Sequence, residues 1–134
     1  MRWVEYFQNL AHQVKLKSKD ERTQIGAVIV GEDKEIVSTG YNSFPRGLDD
    51  SIKLRQERPE KYYWFEHAER NAIYNAARIG VSTKGCTMYL SCGIPCVDCA
   101  RGIIIQVSHE SFVNEELPPK VNIGKRITKG VGRC

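Results

Sequence analysis

Apolar side chains recur at three- and four-residue steps over the first part of the chain, the pattern of an amphipathic helix ending near Ser18. The next apolar run, residues 25–30, is continuous and rich in β-branched side chains. A short polar turn at 31–34 separates it from a second run at 35–40, and two such runs are typical of a β-hairpin. The pattern therefore predicts one helix followed by two antiparallel strands.

The middle of the chain predicts two more helices and two more strands. Small apolar side chains form a stripe at helical spacing over residues 62–79, and Gly80 is placed to end that helix. A buried strand over 86–91, a helix over 96–107 and a weak strand over 111–113 follow. This order favours an α/β fold, a three-layer α/β/α sandwich around a mixed central sheet with at least one crossover between parallel strands.

Length and composition predict one domain over residues 1–134, with a core at 1–113 and a basic, partly ordered C-terminal segment at 117–134. The 41% of apolar residues are enough for a core without disulfide bonds. Five cysteines and a polar N-terminal segment predict a reduced, cytoplasmic protein without a membrane span. The net charge of +4 suits an anionic partner, either a phosphorylated metabolite or a nucleic acid.

Two short motifs carry candidate metal chemistry: His-Ala-Glu at 67–69 and Pro-Cys-Val-Asp-Cys at 95–99. Cysteines three apart share one face of a helix, and a helix N-terminus favours their thiolate form. One histidine and two cysteines are one ligand short of a closed tetrahedral site, and an open position is typical of catalytic zinc. The motifs therefore predict one catalytic Zn2+ held by His67, Cys96 and Cys99, with Glu69 as the general acid and base.

Together with two further segments, these motifs resemble those of the zinc-dependent cytidine deaminase superfamily and, within it, the deoxycytidylate (dCMP) deaminases. The further segments are Ile-Gly-Ala-Val-Ile-Val at 25–30 and Gly-Tyr-Asn-Ser-Phe-Pro-Arg-Gly at 40–47. The zinc motifs identify the superfamily, and the segment at 40–47 points to the subgroup. The resemblance implies the fold of the cytidine deaminases and hydrolysis of dCMP to dUMP and ammonia, which supplies dUMP for thymidylate synthesis.

The resemblance also implies binding residues and partners. Asn42 is expected to hydrogen-bond the sugar and Ala68 to contact the substrate. From their place beside the predicted pocket, rather than from the resemblance, Arg22 and Arg46 are the expected phosphate or effector ligands, with solvated charges as the alternative. Effector contacts are expected at Asn42, Ser43 and Arg46. Because family members are often homohexamers activated by dCTP and inhibited by dTTP, the resemblance implies a homo-oligomer, a hexamer, with the same control and with Mg2+ accompanying dCTP.

Other interpretations stay open. Asp20 and the pair at 49–50 stand where many dCMP deaminases carry ligands of a second, structural zinc, so a second zinc is not expected. A tRNA or single-stranded DNA base deaminase would use the same zinc site, and the basic segment at 120–133 supports it, but the segment at 40–47 fits the nucleotide enzymes better. A non-enzymatic zinc module is the third interpretation, and it would not need Glu69. The aromatic run at 62–65 is expected in the core or at a subunit interface, with base stacking as the alternative.

Overall fold

The centre of the fold is a four-stranded sheet, seen in a computed structural model that describes residues 1–93 and 95–108 and the backbone of 112–113. Its strand order is β2-β1-β3-β4. Strand β1 (Gly26–Val30) pairs antiparallel with β2 (Ile36–Tyr41) and with β3 (Thr87–Leu90), and β3 pairs parallel with β4 (Phe112–Val113). The predicted hairpin, the mixed sheet and the parallel crossover are confirmed.

Helices cover both faces of this sheet, which confirms the three-layer α/β/α sandwich. They are α1 (Trp3–Val14), α2 (Lys61–Trp64), α3 (Ala68–Ile79) and α4 (Val97–Gln106), with 3₁₀ turns at Lys15–Lys17 and Lys53–Gln56. Among the described helices, none is long and apolar enough to cross a membrane. The basic segment predicted at 117–134 lies outside the described residues.

Strand β1 divides its side chains between two cores. All five of its residues are buried, as expected for a central strand covered on both faces. Val28 and Val30 pack with Phe7 of α1 on one face, whereas Ala27 and Ile29 pack with side chains of α3 and α4 on the other. Because successive side chains of β1 point to opposite faces of the sheet, this one strand contacts both helical layers.

The single helix predicted over residues 62–79 is wrong in its first part. Helix α2 ends at Trp64 and α3 begins at Ala68, and between them Phe65 and His67 have extended backbone. Glu66 forms an antiparallel bridge with Ser43, with N–H···O distances of 2.8 and 3.1 Å. Because this pairing takes Glu66 out of the helix, His67 becomes the residue that precedes α3. The end of α3 is as predicted, with Gly80 in the left-handed region at φ 77°.

Helix α3 lies directly against strand β2 at Gly40. A Cβ atom on Gly40 would lie 2.9 Å from the Cα of Ala72 and closer still to the carbonyl oxygen of Ala68. Beside this contact the hydroxyl of Ser38 donates to the carbonyl oxygen of Ala72 at 2.8 Å. The absence of a side chain at Gly40 therefore sets how close α3 comes to the sheet.

We expect Gly40→Ala to lower the free energy of unfolding by about 1–3 kcal/mol or more, because backbone atoms rather than a flexible side chain have to move. Urea denaturation monitored by circular dichroism measures it. Gly102→Ala in α4 is the matched control, since its Cβ would lie 3.7 Å from the Cδ1 of Ile73, an ordinary contact. Alanine is favoured over glycine in a helix by about 1 kcal/mol, so this control should be at least as stable as the wild type. Equal stability of Gly40→Ala and the wild type would contradict the packing argument.

Candidate active site

His67, Cys96 and Cys99 form one cluster where the N-terminal ends of α3 and α4 meet. The Nδ1 atom of His67 lies 3.3 Å from the Sγ of Cys96 and 3.3 Å from the Sγ of Cys99. The ligand atoms of the three residues all lie within 4.8 Å of one another. Within the described part of the chain, this is the one group of three or more His, Cys, Asp or Glu side chains with such spacing. The structure thus brings together residues from two separate motifs.

Local structure at two helix ends positions the cluster. The backbone amide of His67 donates to Oε1 of Glu66 at 2.9 Å, and the same oxygen pairs with the guanidinium of Arg70 at 2.7 Å. Cys96 precedes α4, and its Sγ accepts the backbone N–H of Cys99 at 3.4 Å. A sulfur in this capping position faces the positive end of the helix dipole, which favours its thiolate form.

The two thiols differ in their proton affinity. The hydrogen bond from the Cys99 thiol, helped by His67 and by the Cys99 backbone amide, outweighs burial and lowers the pKa of Cys96 to about 4. The same hydrogen bond raises the pKa of Cys99, as do burial and the charge of Glu69. The hydrogen bond with Cys96 also raises the pKa of His67. These contacts favour the thiolate form at Cys96, the form that binds a metal ion.

The donor set fits a zinc ion with one open position. Imidazole nitrogen and thiolate sulfur are ligands that zinc prefers, and the usual Zn–N and Zn–S lengths put nitrogen and sulfur about 3.6 Å apart in a tetrahedral site. The two N–S distances of 3.3 Å are close to that value. Because the described cluster offers three protein ligands, a fourth position remains for water, as in catalytic sites.

Glu69 lies beside the cluster in the first turn of α3 and is fully buried. Its charge raises the pKa of both Cys99 and His67, which places the carboxylate within electrostatic reach of both ligands. A carboxylate two residues after the ligand histidine does not close the metal site. Its position instead suits proton transfer to and from a molecule bound at the cluster.

A cavity of about 70 Å³ opens onto His67 and is the candidate substrate pocket. Its floor and walls include the buried Ile25 and Asn42, together with Phe65. A larger cavity, of about 250 Å³, contains none of the three ligand residues and shares Phe65 with the smaller one. Because the candidate chemistry lies at the ligand cluster, the smaller cavity is the better candidate for the substrate pocket, although the other cavity has the larger volume.

The predicted binding residues of the segment at 40–47 fall into different cavities. Asn42 lines the pocket at His67, whereas Ser43 and Arg46 line the larger cavity. The guanidinium of Arg46 donates to the Oδ1 atom of Asn75 at 2.8 Å. The structure therefore places Arg46 at a different cavity from Asn42, the residue with which it was grouped as a predicted ligand.

The other two predicted substrate residues line neither of these cavities. Arg22 is exposed, and its backbone amide donates to the Oδ1 atom of Asp20 at 2.9 Å. Ala68 is fully buried at the start of α3. The roles of both residues stay predictions.

The side chain of Asn42 is held by three hydrogen bonds. Its Oδ1 atom accepts the amide of Ile25 at 2.8 Å, and its Nδ2 atom donates to the carbonyl oxygen of Thr23 at 2.7 Å and to the Oδ2 atom of Asp20 at 3.3 Å. Both donor hydrogens of the amide are thus used inside the protein. What Asn42 offers a ligand is the second lone pair of Oδ1, an acceptor for a hydroxyl group.

A buried ion pair supports this arrangement. The Nζ atom of Lys61 lies 2.7 Å from Oδ2 of Asp20, and the two side chains are 10% and 3% exposed. Burial raises the pKa of Asp20, but Lys61 and the backbone amides of Arg22 and Thr23 together lower it more, so the net shift is downward. Asp20 is therefore ionised at neutral pH and neutralises Lys61 within the pocket wall.

Sequence reasoning missed three residues that organise the site: Lys61, Glu66 and Asn71. The Nδ2 atom of Asn71 donates to the carbonyl oxygen of Tyr41 at 2.9 Å and so ties the segment at 40–47 to α3. A signal for Asn71 was present, since it lies one helical turn after His67. Lys61 gave no such signal, because its partner Asp20 is far away in the sequence. Glu66 has the local partner Arg70, but its backbone pairing with Ser43, which sets the start of α3, is with a distant residue.

A mixed sheet between helical layers and a His-Cys-Cys cluster at two helix N-termini define a zinc-binding α/β/α domain of the deaminase kind. The chain belongs to the family described as the cytidine and deoxycytidylate deaminase zinc-binding region, whose model matches residues 1–114.

Similar proteins carry related names. The human deoxycytidylate deaminase is 38% identical over 109 residues, which are 78% of this chain and 60% of the human protein. The deoxycytidylate deaminase of Enterobacteria phage T4 is 30% identical over 133 residues, covering 70% of this chain and 68% of the phage protein. The chain thus spans well under the full length of its human relative.

Solved structures share the fold at lower identity. The dCMP deaminase of cyanophage S-TIM5 in its apo form has a TM-score of 0.68 at 24% identity, covering 84% of this chain and 83% of that one. The cytidine deaminase of Burkholderia pseudomallei has a TM-score of 0.61 at 16% identity, covering 90% and 93%. These likenesses establish the α/β/α architecture.

We expect the wild-type protein to contain one zinc ion per chain and Cys99→Ser to lose it, because a serine hydroxyl does not replace a thiolate ligand. Metal analysis of the purified protein by mass spectrometry measures the content. Cys86→Ala is the matched control, since Cys86 is a buried core cysteine outside the cluster, and it should keep one zinc. Close to two zinc ions per chain, or full occupancy in Cys99→Ser, would contradict the assignment.

Proposed function

We propose that this chain is a zinc-dependent hydrolase that converts dCMP to dUMP and ammonia, supplying dUMP for thymidylate synthesis. The observation that carries the proposal is the buried Glu69 beside a three-ligand cluster at the end of a small pocket. The names of the human and phage relatives support the choice of substrate. Residues 1–134 are proposed to form a single domain.

The residues at the pocket divide the work of the reaction. When held by His67, Cys96 and Cys99, zinc lowers the pKa of a water molecule towards about 7. The carboxylate of Glu69 accepts a proton from the attacking water and delivers it to N3 of the cytosine ring. Once the water oxygen is bonded to C4, Glu69 takes the second proton from that hydroxyl group and delivers it to the amino group, so that the C4–N bond breaks and ammonia leaves. Because Glu69 is fully buried, it exchanges these protons with the bound substrate rather than with bulk water.

Substrate binding is proposed at Asn42, whose free acceptor lone pair suits a sugar hydroxyl, and at Ala68 beside the cluster. Arg22 and Arg46 stay predictions for the phosphate contact. The site chemistry would also serve a tRNA or single-stranded DNA base deaminase, which is the alternative function.

We also propose a cytoplasmic homo-oligomer, a hexamer, activated by dCTP with Mg2+ and inhibited by dTTP, with effector contacts at Asn42, Ser43 and Arg46. A cavity of about 250 Å³ lined by Ser43 and Arg46, next to the substrate pocket, supports an effector site. Sedimentation of the purified protein and its kinetics with each triphosphate decide this part. Hyperbolic kinetics unaffected by either triphosphate, in a monomer, would contradict it.

Glu69→Gln should keep its zinc but lose at least about 10²–10⁴-fold in turnover, because general acid and base assistance alone contributes that much and one carboxylate serves several proton steps. Ammonia release under saturating dCMP measures the turnover, and metal analysis of the same sample confirms the zinc. Glu5→Gln in the exposed first turn of α1 is the control and should leave turnover unchanged. Near-normal turnover of zinc-loaded Glu69→Gln would exclude the mechanism.

The substrate is decided by ammonia release from dCMP, deoxycytidine, a cytosine-containing oligonucleotide and tRNA at equal cytosine concentration. We expect kcat/KM to be tenfold or more higher for dCMP than for deoxycytidine, because binding of the remote phosphate helps to hold the ring in place. Faster deamination of the oligonucleotide or of tRNA would favour the alternative function. Equal rates with dCMP and deoxycytidine would contradict the monophosphate as substrate.

A further inference from the structure

We propose that Arg58 binds the phosphate group of the nucleotide at the mouth of the pocket that opens onto His67. The inference rests on the proposed function, since it assigns the residue that makes the site prefer a phosphorylated substrate. No motif in the sequence distinguishes Arg58 from the other exposed arginines.

The position of Arg58 in the pocket is the first argument. Arg58 and Tyr62 line the same cavity as His67 and are exposed, whereas Asn42 and Ile25 line it and are buried. The exposed residues therefore form the mouth, and the buried ones form the inner wall. A nucleotide whose base reaches the ligand cluster keeps its charged phosphate towards solvent, which is where Arg58 lies.

The charge balance of the pocket is the second argument. Asp20 and Lys61 line the pocket too, but their 2.7 Å ion pair neutralises both charges. Arg58 makes no ion pair with any side chain that the structure describes. The pocket thus carries one uncompensated positive charge from its arginine and lysine side chains, and this charge is at the mouth.

The contacts of the guanidinium are the third argument. Its Cζ atom lies 5.8 Å from the centroid of the Tyr62 ring, a cation–π contact. Its N–H donors make no hydrogen bond or ion pair to the residues that the structure describes, and the fork geometry of the planar group matches two oxygens of a phosphate.

The neighbouring arginines are engaged elsewhere. Arg55 lies 3.9 Å from the centroid of the Trp64 ring and donates to the carbonyl oxygen of Asp49 at 2.8 Å. Arg46 donates to Asn75 and lines the other cavity. Arg58 is therefore the arginine that combines a place at the pocket with free donors.

The test compares kcat/KM for dCMP and for deoxycytidine in Arg58→Ala, Arg58→Lys and the control Arg55→Ala. The preference for dCMP should fall about 10- to 150-fold in Arg58→Ala, the range expected for a lost charge-assisted hydrogen bond. Arg58→Lys should recover part of it, because a lysine keeps the charge without the fork. Arg55→Ala should keep the wild-type preference. Zinc content and urea denaturation of each variant show that the site and fold are retained.

Binding of the product gives a second readout that does not depend on turnover. Calorimetry should show that dUMP binds the wild type more tightly than deoxyuridine does, and that Arg58→Ala removes most of this difference. A wild type that does not distinguish dCMP from deoxycytidine overturns the proposed substrate. A wild-type preference that survives in Arg58→Ala, or that disappears in Arg22→Ala or Arg46→Ala instead, overturns the assignment of Arg58 alone.

Discussion

The close contact between α3 and strand β2 at Gly40 is the constraint on which the site depends. Only a residue without a side chain lets the backbone of α3 come this close to the sheet, and the beginning of the same helix carries Glu69 and follows His67. The bridge between Ser43 and Glu66 then turns the chain into the helix from the end of β2. The ligand histidine is thus positioned by backbone contacts on both sides, independently of any metal.

The charges around the cluster of His67, Cys96 and Cys99 then favour metal binding. Two helices present their N-terminal ends to the cluster, so a thiolate at Cys96 is stabilised before a metal ion binds. Glu69 is buried against the same cluster, where a low dielectric strengthens its interactions with the ligands. In the pocket wall, by contrast, no net charge results from Asp20 and Lys61, because their opposite charges neutralise each other. Charge at the pocket is therefore concentrated at its two ends, at the metal ligands and at the mouth.

The sequence predicted what depends on local spacing and missed what depends on distant pairing. Cysteines three apart and a histidine two residues before a glutamate predicted a candidate ligand set that the structure brings together. Periodicity sufficed for the hairpin, the crossover and the sandwich. The break at Phe65–His67 was invisible, because Glu66 leaves the helix to pair with Ser43, more than twenty residues earlier in the sequence. Asn42 and Arg46 were predicted together because they are close along the segment at 40–47, but the structure places them at different cavities, since closeness along a loop does not imply a shared cavity.

The end of β2 also shows how a ligand in the larger cavity would influence the substrate pocket. Successive residues of an extended chain point to opposite sides, and here Asn42 faces the pocket at His67 while its neighbour Ser43 faces the larger cavity. Phe65 forms part of both cavities. For the proposed control by triphosphates, no long path through the protein is then required. A ligand that moves Ser43 or Phe65 moves the backbone that holds Asn42, and so changes the affinity of the pocket for substrate. Because binding coupling is reciprocal, substrate at Asn42 must change the affinity of the larger cavity for its ligand by the same factor.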